Sequence, residues 1–430
     1  MSKDVQGMRS EASRRGGWVA SFEGGAGRRI ASVGSVLGVL ALMALGLAPS
    51  ATADDIQSEL WHLEAMGAND LWDVSTGEGI KIAVVDTGVS ETPSLKGRVH
   101  PGKDVTGMSG ASTDDYDGHG TTMAEFIVGS GRGAGIKGLA PGAEIVSFRT
   151  GLGGKFTKRG SRSAEAIRAA ADSDARIISM SFGSDFAYPD QEEAVKYAAS
   201  KGKLMFAGVG NDGEKKNFIG YPAAYPSVTG VSAADKSGKV AKYSEFGEYV
   251  DLAAPGLNLP KWCDETFRSY CDNGGGTSTA TAIASASAAL IWSKHPNWTS
   301  NQVLRVLIDT AGRDWPKDKP SDYLGYGLIR PARNVVKGEG KPGPADIDPI
   351  TNKKTAVVGS GGGGTTPSAS APPAASPQPS KKGTSGDKAA VAAKSSDEGN
   401  SQPWLVLGIL AAAAVIGGSA FAVMRARRRA

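Results

Sequence analysis

Strand-like runs that alternate with helical patterns constrain the fold of this 430-residue chain more than any other feature. Strands separated by helices favour parallel pairing, because a crossover helix returns the chain to the same end of the sheet. We therefore predict an α/β fold of three layers with a mainly parallel central sheet. A functional site is expected at the carboxyl ends of its strands. The predicted strands span residues 80–85, 143–148, 175–179, 203–208 and 227–232, a further helix spans 302–310, and 326–329 closes the domain.

Three residues with complementary chemistry lie where these elements begin or end. Asp86 closes the first strand, His119 opens a helical pattern, and Ser278 precedes a long run of Ala, Ser and Thr that predicts another helix. A serine hydroxyl attacks well only when an imidazole takes its proton, and a buried carboxylate must orient that imidazole. Each local motif is common alone, but the three together indicate a serine hydrolase.

Hydrogen-bond donors for an oxyanion are also predicted near the nucleophile. A serine at a helix start has backbone N–H groups beside it. Asn211 follows the strand-like run 203–208 and is the natural second donor.

Four short segments of the chain resemble the signature segments of the subtilisin-like proteases, and the resemblance extends over residues 54–338. It implies a serine endopeptidase for polypeptide substrates that needs no cofactor. Asp86 would orient His119, His119 would act as general base and then acid, and Ser278 would attack the peptide carbonyl. The amide of Asn211 and the N–H of Ser278 would form the oxyanion hole. The segments are Asp86-Thr-Gly, His119-Gly-Thr, Gly210-Asn211 and Gly276-Thr-Ser278.

Residues 177–183 resemble the strand that pairs with an extended substrate in this family. The resemblance places Ser181, Phe182 and Gly183 along the path of the peptide, which would be recognised by strand addition.

Three positions depart from the family pattern. Thr122 replaces a second histidine, Glu125 stands where a small glycine usually packs, and Thr281 replaces a proline. None of these changes removes a catalytic atom, so they bear on local packing and on the placement of His119. A degenerate, non-catalytic relative is the alternative to an intact triad.

Both ends of the chain predict a membrane protein. An apolar run at 33–47 and a small-x-small site at 51–53 indicate a signal peptide over residues 1–53, with an uncleaved signal anchor as the alternative. Residues 404–424 carry no charge and would span about 31 Å as a helix, which matches a bilayer core. The basic tail 425–430 would stay in the cytoplasm, so a single-pass protein of the cell membrane with an extracellular catalytic domain is expected.

Residues 339–403 are rich in Gly, Ser, Pro, Ala and Lys, and we predict a disordered linker there, with binding to a wall or partner as the alternative to a plain spacer. The net charge of +4 comes from the two ends, and residues 54–403 are net negative. This distribution argues against nucleic-acid binding.

The two cysteines, Cys263 and Cys271, fit an exported chain as one short disulfide before the nucleophile segment. No metal site is predicted. The acidic turn at 114–117 could bind calcium, but a solvated turn is favoured. His62 and His295 have no triad context and are expected at the surface or the edge of the core.

The segment 60–72 resembles the N-terminal extension of the mycosins, the membrane-anchored subtilases associated with type VII secretion. Only 32 residues separate Asp54 from Asp86, so we expect no inhibitory pro-domain. The resemblance implies a role at the membrane complex of a secretion system. Three hypotheses follow: a dedicated processing protease, a general surface protease, and a scaffold of the membrane complex whose catalysis is dispensable.

Overall fold

A computed structural model of the chain describes residues 54–151 and 162–355. Several predicted segments lie outside these ranges. They are the signal peptide, linker residues 356–403, the transmembrane helix 404–424 and the basic tail. In the described ranges, no helix combines the length and the apolar character that crossing a membrane requires.

Seven parallel strands form the central sheet, in the order β2-β3-β1-β4-β5-β6-β7. The five predicted strands are confirmed within two residues at each end, and correspond to β1, β3, β4, β5 and β6. A separate antiparallel hairpin, β8–β9, precedes the nucleophile segment. The strands are β1 (Lys81–Asp86), β2 (Val99–Asp104), β3 (Glu144–Arg149), β4 (Ile177–Met180), β5 (Leu204–Gly208), β6 (Val228–Ala234), β7 (Leu252–Pro255), β8 (Leu257–Trp262) and β9 (Tyr270–Gly275).

Helices cover both faces of the sheet. Ile82 and Val84 of β1 belong to the apolar core on one face, whereas Ala83 and Val85 belong to the core on the other. This alternation follows from the two-residue period of a strand, and burial of each Ile or Val side chain stabilises the fold by about 1.5–3 kcal/mol. The three-layer prediction is therefore confirmed. The helices are α1 (Asp54–Ser58), α2 (Trp61–Met66), α3 (Ala68–Trp72), α4 (His119–Val128), α5 (Ser163–Asp172), α6 (Pro189–Ser200), α7 (Thr277–Lys294), α8 (Ser300–Thr310) and α9 (Pro331–Val335).

Each helical layer packs through small or apolar side chains. The first core contains residues of α4, α7 and α8, and the second contains residues of α5 and α6. From Thr277 to Trp292 every residue of α7 is buried except Ser278. The Ala, Ser and Thr composition of α7 therefore lets it lie close against the sheet.

The segment at 326–329 completes the sheet edge, as predicted. The N–H of Ile329 donates to the carbonyl of Ala253 in β7 (2.9 Å), and the N–H of Ala253 donates to the carbonyl of Gly327 (3.0 Å).

The N-terminal extension packs against the catalytic domain through α1–α3. The indole N–H of Trp61 donates to the carbonyl of Leu257 (3.0 Å), and that of Trp72 donates to the carbonyl of Leu139 (2.9 Å). The prediction for His62 was wrong, because its ring is fully buried edge-on to Phe126 of α4. Burial lowers the pKa of His62 to about 3, so the ring is neutral.

The predicted linker begins too early. Residues 339–355 are held against α8 by hydrogen bonds between helix side chains and backbone carbonyl groups. Asn301 donates to the carbonyl of Ala345 (3.0 Å), and Arg305 donates to the carbonyl of Ile347 (2.6 Å). The structured part of the chain therefore continues past residue 338.

Candidate active site

Asp86 lies at the carboxyl end of β1 with its side chain fully buried. Its Oδ1 accepts hydrogen bonds from the N–H of Thr87 (2.8 Å) and from Nδ1–H of His119 (2.7 Å). A carboxylate bound to Nδ1 leaves Nε2 as the nitrogen that can accept a proton. The arrangement therefore prepares His119 to act as a base.

Asp115 fixes the start of α4 and so the position of His119. Its Oδ2 accepts hydrogen bonds from the N–H (2.9 Å) and the hydroxyl (2.7 Å) of Thr121. Its Oδ1 accepts from the N–H groups of Asp117 and Gly118, both at 3.0 Å. The acidic turn is thus not simply solvated, because Asp115 is buried and caps the helix.

Nearby carboxylates control the basicity of His119. Burial lowers the pKa of its ring, but the charge and hydrogen bond of Asp86 oppose this, and Asp115 and Asp117 add to the effect. The result raises the pKa of His119 to about 9. A ring with this pKa can accept a proton from a serine hydroxyl only where it is neutral, which places its action as a base in the alkaline range.

Ser278 is the second residue of α7, and it faces the end of β4. Its hydroxyl donates to the carbonyl of Ser181 (3.1 Å), and the Ser181 hydroxyl donates to the carbonyl of Ser278 (3.1 Å). This reciprocal pair places the predicted nucleophile beside the first predicted substrate-binding residue. Ser181 and His119 in turn line one cavity.

Asn211 and the N–H of Ser278 face the same small space. Thr277 fixes the Asn211 amide, because its N–H (3.0 Å) and hydroxyl (3.1 Å) both donate to Oδ1. A methyl group added to Gly276 would lie 3.5 Å from Oδ1 of Asn211, 3.6 Å from its Nδ2 and 3.8 Å from the Ser278 nitrogen. The two groups expected to donate to an oxyanion are therefore neighbours.

A cavity of about 390 Å³ lies beside these groups. The predicted substrate-binding residues Ser181, Phe182 and Gly183 line it together with His119. Sequence reasoning missed other lining residues, because they belong to no recognised motif. They include Tyr188, Gln191 and Tyr221.

Two of the departures from the family pattern contact the β8–β9 hairpin. The N–H of Trp262 donates to the hydroxyl of Thr122 (3.1 Å), and the hydroxyl of Tyr270 donates to the buried carboxyl of Glu125 (2.6 Å). The predicted disulfide between Cys263 and Cys271 joins the strands of this hairpin, with 5.1 Å between the Cα atoms. Thr122 and Glu125 therefore connect the catalytic helix to the disulfide-linked hairpin.

The third departure is accommodated inside α7. The hydroxyl of Thr281 donates to the carbonyl of Thr277 (2.7 Å), four residues earlier. The buried Thr281 hydroxyl therefore has a hydrogen-bond acceptor within its own helix.

In residues 54–151 and 162–355, no group of three or more His, Cys, Asp or Glu side chains is arranged to hold a metal ion.

The class of the serine hydrolases is defined by a carboxylate–imidazole pair, a serine nucleophile and two N–H donors beside it. Here the pair lies at a strand end and the serine at a helix start of a parallel α/β sandwich. The sequence model of the Subtilase family, Peptidase S8, matches residues 77–327, which is more than half of the chain. The chain belongs to the subtilase family and is a serine endopeptidase.

Similar proteins come from both secreted proteases and secretion systems. Subtilisin Savinase of Lederbergia lenta is 34% identical over 241 residues, which cover 55% of this chain and 84% of that protein. The MycP3 protease from the type VII (ESX-3) secretion system is 28% identical, with a TM-score of 0.55, and the match covers 67% of this chain and 90% of that one. MycP1, described as an essential component of the type VII (ESX-1) secretion system, is 26% identical with a TM-score of 0.57 and the same coverage.

Proposed function

We propose that this protein is a membrane-anchored extracellular endopeptidase that cleaves peptide bonds through an acyl-enzyme formed on Ser278. The observation that carries the proposal is the 2.7 Å contact between buried Asp86 and Nδ1 of His119. It lies at the carboxyl ends of the strands, where Ser278 and Asn211 also lie. This arrangement has one group for each step of acyl transfer.

In the proposed mechanism, the Ser278 hydroxyl turns from the Ser181 carbonyl toward Nε2 of His119 and gives up its proton as it attacks the substrate carbonyl. Asp86 stabilises the imidazolium that forms. The oxyanion is held by Nδ2 of Asn211 and the N–H of Ser278. His119 then protonates the leaving amine, and water releases the acyl group by the same steps in reverse.

A role in type VII secretion is supported by the likeness to MycP1 and MycP3 and by the order of predicted signal peptide, catalytic domain, linker and membrane helix. The protein would be held at the outer face of the cell membrane by residues 404–424. It would process substrates of a type VII secretion system or support the membrane complex of that system.

Labelling by a fluorophosphonate probe tests the proposed mechanism. The full-length protein, solubilised from membranes, should react at Ser278, and Ser278→Ala should abolish the labelling. Asn211→Ala should label more slowly, by about 100-fold, because one oxyanion donor is lost. Equal labelling of wild type and Ser278→Ala would show that another residue is the nucleophile.

Secretion by cells that carry Ser278→Ala distinguishes the roles at the membrane. If the protein is a processing protease, cells with the variant should no longer mature their secreted proteins. If it is a scaffold, these cells should secrete normally, while deletion of the gene should stop secretion. If it is a general surface protease, the variant and the deletion strain should both secrete normally, and purified wild-type protein should degrade casein.

A further inference from the structure

Glu245 places a carboxylate directly behind the oxyanion segment. Glu245 is only 6% exposed, and its backbone N–H donates to the carbonyl of Gly210 (3.1 Å). A methyl group on Gly210 would lie 1.9 Å from Oε2 of Glu245, and one on Gly220 would lie 3.3 Å from the same oxygen. Gly210 has a φ of +116°, so this close approach depends on a residue without a side chain.

A narrow gap beside Gly183 lies between two backbone segments, one of which is the segment that Glu245 contacts. β4 and β5 pair as far as Met180 and Ala207, and beyond that point the chains continue to Gly183 and Gly210. A methyl group on Gly183 would find only the carbonyl oxygens of Tyr221 (3.7 Å) and Gly208 (4.0 Å) near it. A carbon atom beside Gly183 would therefore make only ordinary contacts with the two backbone segments.

The proposed mechanism sets the orientation of the acylated residue. Its carbonyl carbon would bond to Ser278, and its oxygen would point to Asn211. The preceding peptide follows Ser181 to Gly183, so the side chain of the acylated residue enters the gap beside Gly183. Gly220, which adjoins Tyr221 at the far side of the gap, has Oε2 of Glu245 against it.

The negative charge at this position has no cationic partner. Glu245 forms no ion pair within residues 54–151 and 162–355. Asp212, which follows Asn211, is paired with Lys215 (2.8 Å) at the surface. Burial is the main cause that raises the pKa of Glu245 to about 7, the charges of Asp212 and Asp185 add to it, and a hydrogen bond from the backbone of Asp212 opposes it. A cation brought to Glu245 would relieve this unfavourable environment.

We propose that Glu245 selects a lysine or arginine side chain at the residue immediately before the cleaved bond. The ammonium or guanidinium group would reach through the gap beside Gly183 and pair with the Glu245 carboxylate. Glu245 is thus a specificity residue, whereas the triad carries the chemistry. The inference rests on the proposed acyl-enzyme mechanism only for the geometry of the bound peptide.

Matched peptides test this specificity in the full-length protein. Internally quenched peptides that differ only before the cleaved bond, with Lys, Arg, Gln or Leu, would be compared at pH 8.5, where most of Glu245 is ionised. We expect kcat/KM for Lys and Arg to exceed that for Gln and Leu by at least about tenfold, the usual scale for a desolvated charge pair. Glu245→Gln should remove this advantage and leave the Gln and Leu peptides within about threefold of wild type.

Glu248→Gln is the matched control, because Glu248 is an exposed acid three residues away on the same loop. It should keep the preference of wild type. A wild type that cleaves the Leu or Gln peptide as fast as the Lys peptide would overturn the inference, and so would an equal loss on all peptides in Glu245→Gln.

Binding to the Ser278→Ala protein separates this inference from the proposed mechanism. Calorimetry with peptides that end in Lys or Leu needs no turnover, and we expect the Lys peptide to bind at least about tenfold more tightly. Failure of fluorophosphonate labelling together with Lys-selective binding would contradict the mechanism alone. Labelling together with equal binding of both peptides would contradict the role of Glu245 alone.

Discussion

At the scale of single residues, the charges around His119 determine the pH at which the enzyme works. The imidazole must be neutral to accept the Ser278 proton, and the carboxylates of Asp86, Asp115 and Asp117 raise its pKa to about 9. Activity should therefore fall as the pH drops below this value. The acid limb of kcat/KM is expected in the alkaline range.

Asp117→Asn tests this account without touching the Asp86–His119 contact. Asp117 is exposed, and its loss removes one negative charge that favours the imidazolium. The pKa of His119 should fall, so the acid limb of the pH profile of kcat/KM should move to lower pH by on the order of half a unit at low ionic strength. Asp73→Asn, an exposed change on the N-terminal extension, should leave the profile in place. A shift to higher pH in Asp117→Asn would contradict the electrostatic explanation.

The sequence led to the residues proposed for catalysis, but it did not lead to the residues around them. Asp86, His119, Asn211 and Ser278 each sit in a local pattern that links a residue type to an element end. Glu245 lies 34 positions beyond Asn211 in the sequence, and only the folded backbone brings it against Gly210. His62 was misplaced for the same reason, because its burial depends on packing against α4.

At the scale of secondary-structure elements, the strength of the apolar pattern decided which strands could be predicted. The buried central strands form continuous apolar runs. β2 is an edge strand with Pro101 and Gly102 and a largely exposed pattern, so it has no such run. β7, from Leu252 to Pro255, contains two alanines and ends in proline, so it lacks the β-branched residues that mark the other buried strands.

Glu125, which joins α4 to the β8–β9 hairpin, gives a prediction about how stability depends on pH. Glu125 is buried between the hydroxyl groups of Thr92 (2.6 Å) and Tyr270 (2.6 Å). Burial raises its pKa to about 7, although the hydrogen bonds oppose this. The folded protein therefore holds a proton on Glu125 more tightly than the unfolded chain does.

Because the folded state binds the proton more tightly, the contribution of Glu125 to stability should decline as the pH rises from about 4.5 to about 7. Glu125→Gln carries no titrating group at this site. The free energy of unfolding of Glu125→Gln, minus that of wild type, should increase by up to about 3 kcal/mol as the pH rises through this range. Each unit of pKa difference contributes about 1.4 kcal/mol. Chemical denaturation at pH 5 and pH 8 measures the difference, and Glu64→Gln at an exposed position controls for loss of charge. A relative stability that declines with pH would be the wrong sign for a buried acid.

At the scale of the whole molecule, the structured region extends beyond the domain boundary predicted at residue 338. The composition of residues 339–355 is that of a linker, since it is rich in Gly, Pro and polar residues. Its attachment to α8 uses mainly backbone carbonyl groups, which every sequence has. Composition therefore could not show that this segment is bound.

A protein that ends at residue 355 should be more stable than one that ends at residue 338. The shorter protein leaves the buried amide of Asn301 without its bonds to Ala345 and Thr355 (2.7 Å), and it removes the carbonyl that Arg305 contacts. Each such buried group costs about 1–3 kcal/mol when unsatisfied, so a fall of several degrees in Tm is expected. Asn301→Ala should narrow the difference between the two proteins. Equal melting temperatures would show that the segment contributes nothing to the fold.

Ser278 is not buried, unlike its neighbours between Thr277 and Trp292 of α7, and this has a consequence for when it becomes reactive. α7 packs against β4, β5, β6 and β7, so the surroundings of Ser278 are complete only when these strands are in place. An unfolded chain would therefore carry Ser278 without the groups proposed to activate it, and the serine would react no faster than any other. Labelling of Ser278 during refolding would thus report when the domain is complete.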